Sequence, residues 1–291
     1  MAYSFTSNLH NLLTADLLEA FMDGFISDEA DLSWVQVIPT DKQQPTNVGI
    51  NPPGQYSQVV EGADIATSAI SQGNTATYTH TNLGIGFAVS LQSKLTMPRE
   101  TLVQFIGQLG ASARRRIAQD CYDQLNNGES NTGSDGVSSF NTGHGSNVGA
   151  MSNLGASSLD YTGLEAGIRS IATQQTPDGL LCGYKASTLI VPAALNVTSQ
   201  QLVGSTFTSA GLQINSMENR GLKVIVAPEL TSATAWFLLD DRFSSYKMYV
   251  LRGPAPKLIE EEEASMRMAV RDRMIYAVGS DSWRGTFSSS P

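Results

Sequence analysis

The residue types that carry most enzymatic chemistry are few and scattered in this sequence. The three histidines, His10, His80 and His144, lie far apart along the chain. The sequence has neither the GxSxG elbow of a serine hydrolase nor the HExxH pair of a zinc protease. The glycine-rich stretch 141–145 lacks the lysine of a phosphate-binding P-loop, which favours a mobile surface loop. These patterns predict no catalytic residue.

Acidic residues form two further groups that could do chemistry. Asp240 and Asp241 are adjacent, and neighbours on a strand point to opposite faces, so a turn is the better interpretation than an acid–base pair. Four consecutive glutamates could bind a divalent cation, although such runs more often form a solvated face or meet arginines. These are Glu260, Glu261, Glu262 and Glu263. We expect no metal there, and the run is a candidate contact between subunits.

The two cysteines do not suggest a metal centre or a redox pair. Cys121 and Cys182 lie far apart and lack CxxC spacing. A structural zinc site needs about four ligands, and the scattered histidines do not complete such a set. We therefore expect two buried thiols in a reducing compartment, and no cofactor.

Composition narrows the classes of partner. The chain has 291 residues and a net charge of -9, whereas proteins that wrap nucleic acid usually present a basic face. The one dense basic cluster is Arg114, Arg115 and Arg116, so tight nucleic-acid binding is not expected. Charged residues are 15% of the chain, which favours burial between subunits. Apolar runs are too short to cross a bilayer, so we expect no membrane partner.

The first third of the chain alternates between apolar and polar segments. Residues 1–33 repeat apolar residues at helical spacing, with Gly24 expected to stop or break the helix. A short strand over 34–38 precedes Pro39, and residues 83–91 alternate like a half-buried strand. The intervening segment 40–82 is polar and too long for an ordinary loop. It is functional, disordered, or a hairpin that finds partners on other chains.

Few apolar side chains occur in this long polar segment. Those proposed to contact neighbouring chains are Ile50, Tyr56, Val59, Ile65 and Ile70.

The strongest element is a helix predicted over residues 98–127. Apolar residues recur at intervals of four, Pro98 suits the first turn, and Asn126-Asn127-Gly128 supplies the stop. Such a helix is roughly 42 Å long and suggests a structural spine. The expected buried stripe is Phe105, Leu109, Ala113, Ile117, Cys121 and Leu125.

The remaining chain predicts an α+β fold. Helices are expected over 160–174 and 193–203, and residues 126–158 read as loop. Strands are expected at Leu189–Val191, Leu222–Val226 and Trp236–Leu239. Residues 257–278 alternate apolar and charged side chains, which indicates a long strand or hairpin.

Three stretches of the carboxy-terminal half resemble a known family. They are residues 186–195 with "STLIVPAAL", residues 222–240 with "VAPEL" and "AWFLLD", and the end with "DSWRG". Together they resemble the Mu-type major head subunits of tailed bacteriophages, which have the Hong Kong 97-like capsid fold. The resemblance covers about residues 30–291 in element order.

The resemblance implies a layout and a function. It implies an N-terminal arm (1–33), an extended loop with flanking strands (34–91), a peripheral domain with the spine helix (92–160), an axial domain (161–255) and returning C-terminal strands (256–291). The implied function is a virion shell of pentamers and hexamers, assembled in the host cytoplasm. Implied partners are further copies of the chain, portal, scaffolding and cement proteins, and double-stranded DNA as non-specific cargo.

Two alternatives remain open. An encapsulin-like bacterial compartment would use the same fold around an enzyme cargo, and an enzyme with an unrecognised site would belong to a different class. Unlike some relatives, the sequence has no long scaffolding region before its first strand, so we expect virion protein to begin at Met1 or Ala2. No cross-linking chemistry is implied for residues 40–82.

Overall fold

The computed structural model describes residues 18–27, 30–50, 58–62, 64–65, 67, 72–90, 96, 98–145, 149–177, 179–205, 217–243, 245–260 and 267–291. The helices are α1 (18–27), α2 (Arg99–Asn126), α3 (Tyr161–Ala172) and α4 (Asn196–Gly204). The strands are β1 (Gln36–Pro39), β2 (Thr46–Ile50), β3 (Gln72–Thr77), β4 (Thr81–Ser90), β5 (Leu154–Gly155), β6 (Thr188–Val191), β7 (Lys223–Val226), β8 (Trp236–Leu239), β9 (Tyr246–Arg252), β10 (Lys257–Glu260), β11 (Arg267–Ser280) and β12 (Thr286–Ser289).

The first sheet is built around the long strand β11. Strand β4 pairs with β11 antiparallel from Arg267↔Ser90 to Tyr276↔Thr81. Strands β10 and β9 also pair with β11 antiparallel, and β1 lies parallel to β9. The predicted hairpin near residues 257–278 is therefore confirmed, and its long strand organises the sheet.

Helix α2 packs on this sheet as the predicted spine. It spans 28 residues and begins directly after Pro98, where a missing backbone N–H costs nothing. The stripe is buried at Leu109, Ala113, Ile117, Cys121 and Leu125. The prediction is wrong for Phe105, which is 47% exposed because it lies at the rim of the helix–sheet contact, beside Phe87.

The second sheet has the strand order β5-β12-β8-β6-β7, and its strands β6, β8 and β12 are buried on both faces. Ile190 and Phe237 face the core that contains α2. The alternate residues Leu189 and Trp236 pack with Leu164 of α3. Burial on both sides explains why β6 and β8 are continuous apolar runs in the sequence.

Gly24 does not end the first helix, contrary to the prediction, because α1 continues to residue 27. Instead it allows α1 to cross α2 at close range. A Cβ atom on Gly24 would lie 1.9 Å from the carbonyl oxygen of Gly107, and one on Gly110 would lie 2.1 Å from that of Phe21. The glycines therefore fix the arm helix on the spine through backbone contact.

The glycine-rich stretch 141–145 is not a surface loop at His144, which is fully buried. The Nδ1 atom of His144 lies 2.7 Å from Asp135 Oδ2, and its Nε2 atom lies 3.0 Å from Asn153 Oδ1. The imidazole also stacks on Trp283, with ring centroids 4.2 Å apart. The surface-loop prediction is therefore wrong for His144, because internal partners satisfy this polar side chain, as buried polar groups require. Thr142, Gly143 and Gly145 are exposed as predicted.

Other local predictions have mixed outcomes. The turn after β8 is confirmed, since a 3-10 helix forms at Asp241–Phe243. Cys121 is buried, and burial raises the pKa of its thiol to about 12. Cys182 is only partly buried, contrary to the expectation.

Candidate assembly surfaces

The polar segment after β1 forms a separate two-stranded sheet. Strands β2 and β3 pair antiparallel with each other, from Thr46↔Thr77 to Ile50↔Gln72. Residues 46–77, which contain both strands, are called the hairpin. Its strands carry few apolar residues, so it adds little to the core of its own subunit.

Three apolar side chains that the sequence predicts at a contact between subunits are exposed in the hairpin, whereas Ala76 is buried. The side chain of Ile50 is 72% exposed, that of Val59 is 44% exposed and that of Ile65 is 77% exposed. Tyr56 and Ile70, predicted to act with them, lie outside the described residues. The described members therefore form an exposed apolar set on one segment, and a partner that covered them would remove apolar surface from water.

Asp281 ties the root of the hairpin, at Asn47 and Tyr78, to the subunit body, which is the part of the chain built around the two five-stranded sheets. Its Oδ2 atom accepts a hydrogen bond of 2.5 Å from Asn47 Nδ2 in β2 and pairs with the Nζ atom of Lys247 in β9. Its Oδ1 atom accepts a hydrogen bond from the hydroxyl of Tyr78, which follows β3. Burial and this hydrogen bond raise the pKa of Tyr78, so the phenol remains a donor.

Arg114 is engaged within its own subunit. Its Nη2 atom donates a 3.0 Å hydrogen bond to the carbonyl oxygen of Ala30. Its guanidinium carbon lies 5.7 Å from the centroid of the Phe25 ring, within cation–π range. The side chain therefore fastens the arm to the spine helix.

Arg115 and Arg116 are exposed on the spine helix. Arg116 Nη2 lies 2.8 Å from Asp120 Oδ1, one helical turn away. Asp120 also accepts a 2.6 Å hydrogen bond from the Tyr276 hydroxyl. The three arginines thus do not act as one patch, because Arg114 turns to its own arm whereas Arg115 and Arg116 face solvent.

The acidic run lies almost entirely outside the described part of the molecule. Glu260 is the last residue of β10, and nothing is described of its side chain. Glu261, Glu262 and Glu263 fall outside the described residues. Its expected contact with arginines therefore stays a prediction.

The described residues were compared with the features of a metal site and of a membrane span. Among them, no group of three or more His, Cys, Asp or Glu residues is placed to hold a metal ion. Likewise, none of the helices in the described ranges is long and apolar enough to span a membrane. His80 and His144 lie in different parts of the structure, and His10 is outside the described residues.

Sequence reasoning missed the two polar clusters that organise the carboxy-terminal segment. Asp281 holds the hairpin root, and Trp283 lies between His144 and Arg284, whose guanidinium carbon is 4.8 Å from the Trp283 ring centroid. Both residues belong to the "DSWRG" stretch that carried part of the resemblance. A tryptophan and charged residues so close together near the end of the chain were the available signal.

Solved structures share this fold at low sequence identity. A structure from Microbacterium phage Oxtober96 aligns with a TM-score of 0.59 and 10% identity, covering 91% of both chains. The bacteriophage PhiM1 mature capsid aligns with a TM-score of 0.61 and 12% identity, covering 89% of this chain and 86% of that one. A virus-like particle from Pyrococcus furiosus aligns with a TM-score of 0.54 and 11% identity, covering 95% and 99%. These similarities confirm the Hong Kong 97-like capsid fold.

A family assignment comes from the sequence itself. The comparison with curated proteins found no match. The assignment to the Mu-type subtype therefore stays a prediction. A family model described as phage capsid protein, however, matches residues 42–288, which is most of the sequence. The chain therefore belongs to the phage capsid protein family, and it is a major capsid protein that associates with copies of itself in the virion shell.

Proposed function

We propose that this capsid protein assembles into the pentamers and hexamers of an icosahedral head that encloses double-stranded DNA. The observation that carries the proposal is the exposed apolar set of the hairpin, at Ile50, Val59 and Ile65. Burying apolar surface contributes about 25 cal/mol per Å², so covering these side chains on a neighbouring subunit stabilises the shell. Assembly takes place in the host cytoplasm.

The hairpin is the extended intersubunit loop in this proposal. It forms a sheet of its own, and its polar composition prevents it from closing a core alone. A neighbouring subunit supplies the apolar surface that its own subunit does not. Tyr56 and Ile70 act at the same contact in the proposal.

The domain layout follows the resemblance with one refinement. The arm is 1–33, the extended loop 34–91 and the peripheral domain 92–160. We place the end of the axial domain before β9 rather than at residue 255, because β9 pairs with β1 and β11 of the first sheet. The last strand, β12, pairs with β8 and so completes the axial sheet.

Charged groups contribute further contacts between subunits. Arg115 and Arg116 are exposed along the spine helix, which supports a role at an interface. The acidic run 260–263 provides opposite charge on another copy. Exposed ion pairs contribute about 0–1 kcal/mol each, so they select the register of subunits more than they hold the shell.

DNA is a non-specific cargo in this proposal, and the other partners are proteins. The net charge of -9 opposes tight binding to phosphates by free subunits. Portal, scaffolding and cement proteins are the expected additional partners. Purified subunits should therefore form closed shells or capsomers without nucleic acid.

Replacement of residues 46–77 by a short Gly-Ser linker tests the role of the hairpin. The variant should remain folded and melt cooperatively in circular dichroism, because the hairpin lies outside the two sheets of the body. Electron microscopy should show no stable shells. Unfolding of the variant, or normal shells built from it, would contradict the assignment.

An encapsulin-like compartment is the second candidate. It has less support than the phage function, and its support is the likeness in fold to a virus-like particle from Pyrococcus furiosus. The contents of particles purified from the producing cells discriminate the two. DNA-filled heads support the phage function, whereas shells that enclose one cellular protein and no DNA support the compartment.

A further inference from the structure

Open clefts lie beside the two described strands of the hairpin. A cleft of about 370 Å³ lies between β3 and the loop 131–139. A second cleft, of about 310 Å³, separates Gly49 and Gly73 from the segment 176–184. Close packing between the hairpin and the rest of the subunit is found at the end of β3, where Ala76 and Tyr78 pack with Ala277. The direction must be set at the root.

The polar groups at the root of the hairpin bind to one carboxylate, that of Asp281. Asp281 accepts hydrogen bonds from Asn47 at the start of β2 and from Tyr78 after β3, and it pairs with Lys247 of the first sheet. Both strands of the hairpin and the subunit body therefore meet on the same two oxygen atoms. Charge-assisted hydrogen bonds of this kind are stronger and more directional than neutral ones.

The body holds Asp281 itself in place through the backbone. Its N–H group donates a 2.8 Å hydrogen bond to the carbonyl oxygen of Ser245, and its carbonyl oxygen accepts a 2.7 Å hydrogen bond from Ser134 Oγ. The carboxylate is thus a fixed point to which the hairpin attaches. Its side chain is 14% exposed, so solvent competes little for these contacts.

The ring of Tyr78 adds a steric stop beside the carboxylate. It lies on Tyr249, with centroids 4.6 Å apart, and a Cβ atom at Gly279 would be 2.8 Å from it. The N–H group of Tyr78 also donates to the carbonyl oxygen of Pro45 at 3.0 Å, which closes the neck of the hairpin. Rotation at the root would break these contacts together.

We propose that Asp281 is the positioning residue that sets the angle at which the hairpin leaves the subunit. This inference rests on the proposed function, in which the hairpin reaches a neighbouring subunit. Strand β2 has five residues, or about 16 Å, so a change of about 20° at the root moves the end of the strand by about 5 Å. A displacement of that size separates side chains that were in contact.

The substitutions Asp281→Asn and Asn47→Ala test the proposal, with Asp160→Asn as the matched control. Asp160 caps α3 by accepting from Gly163, and asparagine caps equally well. In Asp281→Asn, hydrogen exchange of the Tyr78 amide and the β2–β3 amides should quicken about tenfold, while amides of α2 stay protected. Shells seen by electron microscopy should become irregular in shape and diameter.

The second variant guards against misfolding of the first. Asn47→Ala removes a hairpin donor but leaves the Lys247 pair intact, so the subunit stays folded and exchange at the root should quicken about threefold. Unchanged exchange at the root in both variants, or uniform shells from Asp281→Asn, would overturn the proposal. Normal shells after replacement of residues 46–77 would instead contradict the proposed function of the hairpin.

Discussion

The spine helix and the hairpin place their apolar residues in opposite environments. Helix α2 buries Ile106 and Leu109 within its own subunit, whereas the hairpin exposes Val48 and Ile50 by 47% and 72%. Apolar residues in the helix stabilise the folded subunit, and those in the hairpin are available to other copies. Under the proposed function, folding and assembly are carried by different segments of one chain, so mutations should separate the two.

The largest effect is expected from Leu109→Asp in the spine helix. The Leu109 side chain is 6% exposed, and a carboxylate there would be buried without a partner. The cost should be about 3–5 kcal/mol, a large part of the stability of a typical domain. We expect insoluble or unfolded protein by circular dichroism. Gln108→Asp, on the exposed face of the same helix, should remain folded.

Substitution by alanine should change the stability in opposite directions at two glycines of the spine helix, Gly110 and Gly107. A Cβ atom at Gly110 would lie 2.1 Å from the backbone oxygen of Phe21, so Gly110→Ala should lower stability by about 2–3 kcal/mol. At Gly107 the nearest atom is 3.5 Å away, an ordinary contact, so Gly107→Ala should be neutral or stabilise by up to about 1 kcal/mol. Thermal melts of both variants decide this. Equal melting temperatures would mean that α1 does not cross α2 at close range.

Low pH should reduce the free energy of unfolding of the subunit through Asp135, the partner of His144. Burial opposes its charge, but the hydrogen bond and charge of His144 outweigh burial and lower the pKa of this carboxyl below its usual 3.8. A lowered pKa stabilises the fold above the unfolded value, and this contribution is lost as pH falls through the folded value. Asp135→Asn should cost about 1.5–2 kcal/mol at neutral pH.

Urea unfolding over a pH series measures this contribution. The difference in free energy of unfolding between the wild-type protein and Asp135→Asn should be constant near neutrality and shrink below about pH 4. A difference that is the same at acid and neutral pH would exclude an ionised Asp135 partner for His144.

The smallest effect on folding is expected in the hairpin. Ile50→Ser replaces an exposed side chain, so the free energy of unfolding should change by no more than about 0.5 kcal/mol. Shell yield, measured by size-exclusion chromatography and electron microscopy, should fall because serine cannot make the apolar contact with another copy that we propose for Ile50. A melting temperature lowered as much as in Gly110→Ala would remove the distinction between the two regions.

Periodicity predicted the elements whose burial is regular. Helix α2 was expected at 98–127 and lies at Arg99–Asn126, and β6 and β8 were expected from apolar runs. Local patterns report which face of an element is buried, so long regular elements are readable from the sequence. The exposed residues of the hairpin were likewise anticipated from its polar composition.

Long-range contacts could not be predicted in the same way. The sequence predicts a helix break at Gly24. Its actual role is a close backbone contact with Gly107, which lies far away in the sequence and so leaves no local signal. The sequence predicts a surface position for His144. The prediction is wrong because the partners of this side chain meet it only in the folded protein, and they are Asp135, Asn153 and Trp283. The pairing that brings Asp281 to the hairpin root is of the same kind.

Strands β11 and β12 are synthesised after the strands with which they pair. Strand β11 lies between β4 and the pair β9 and β10, and β12 lies between β5 and β8. Neither sheet can close until the ribosome has made residues 267–289, although chains generally begin to fold from the N-terminus during synthesis. A prematurely terminated chain would therefore lack a central strand in both layers. Such fragments should therefore be unfolded and open to proteolysis.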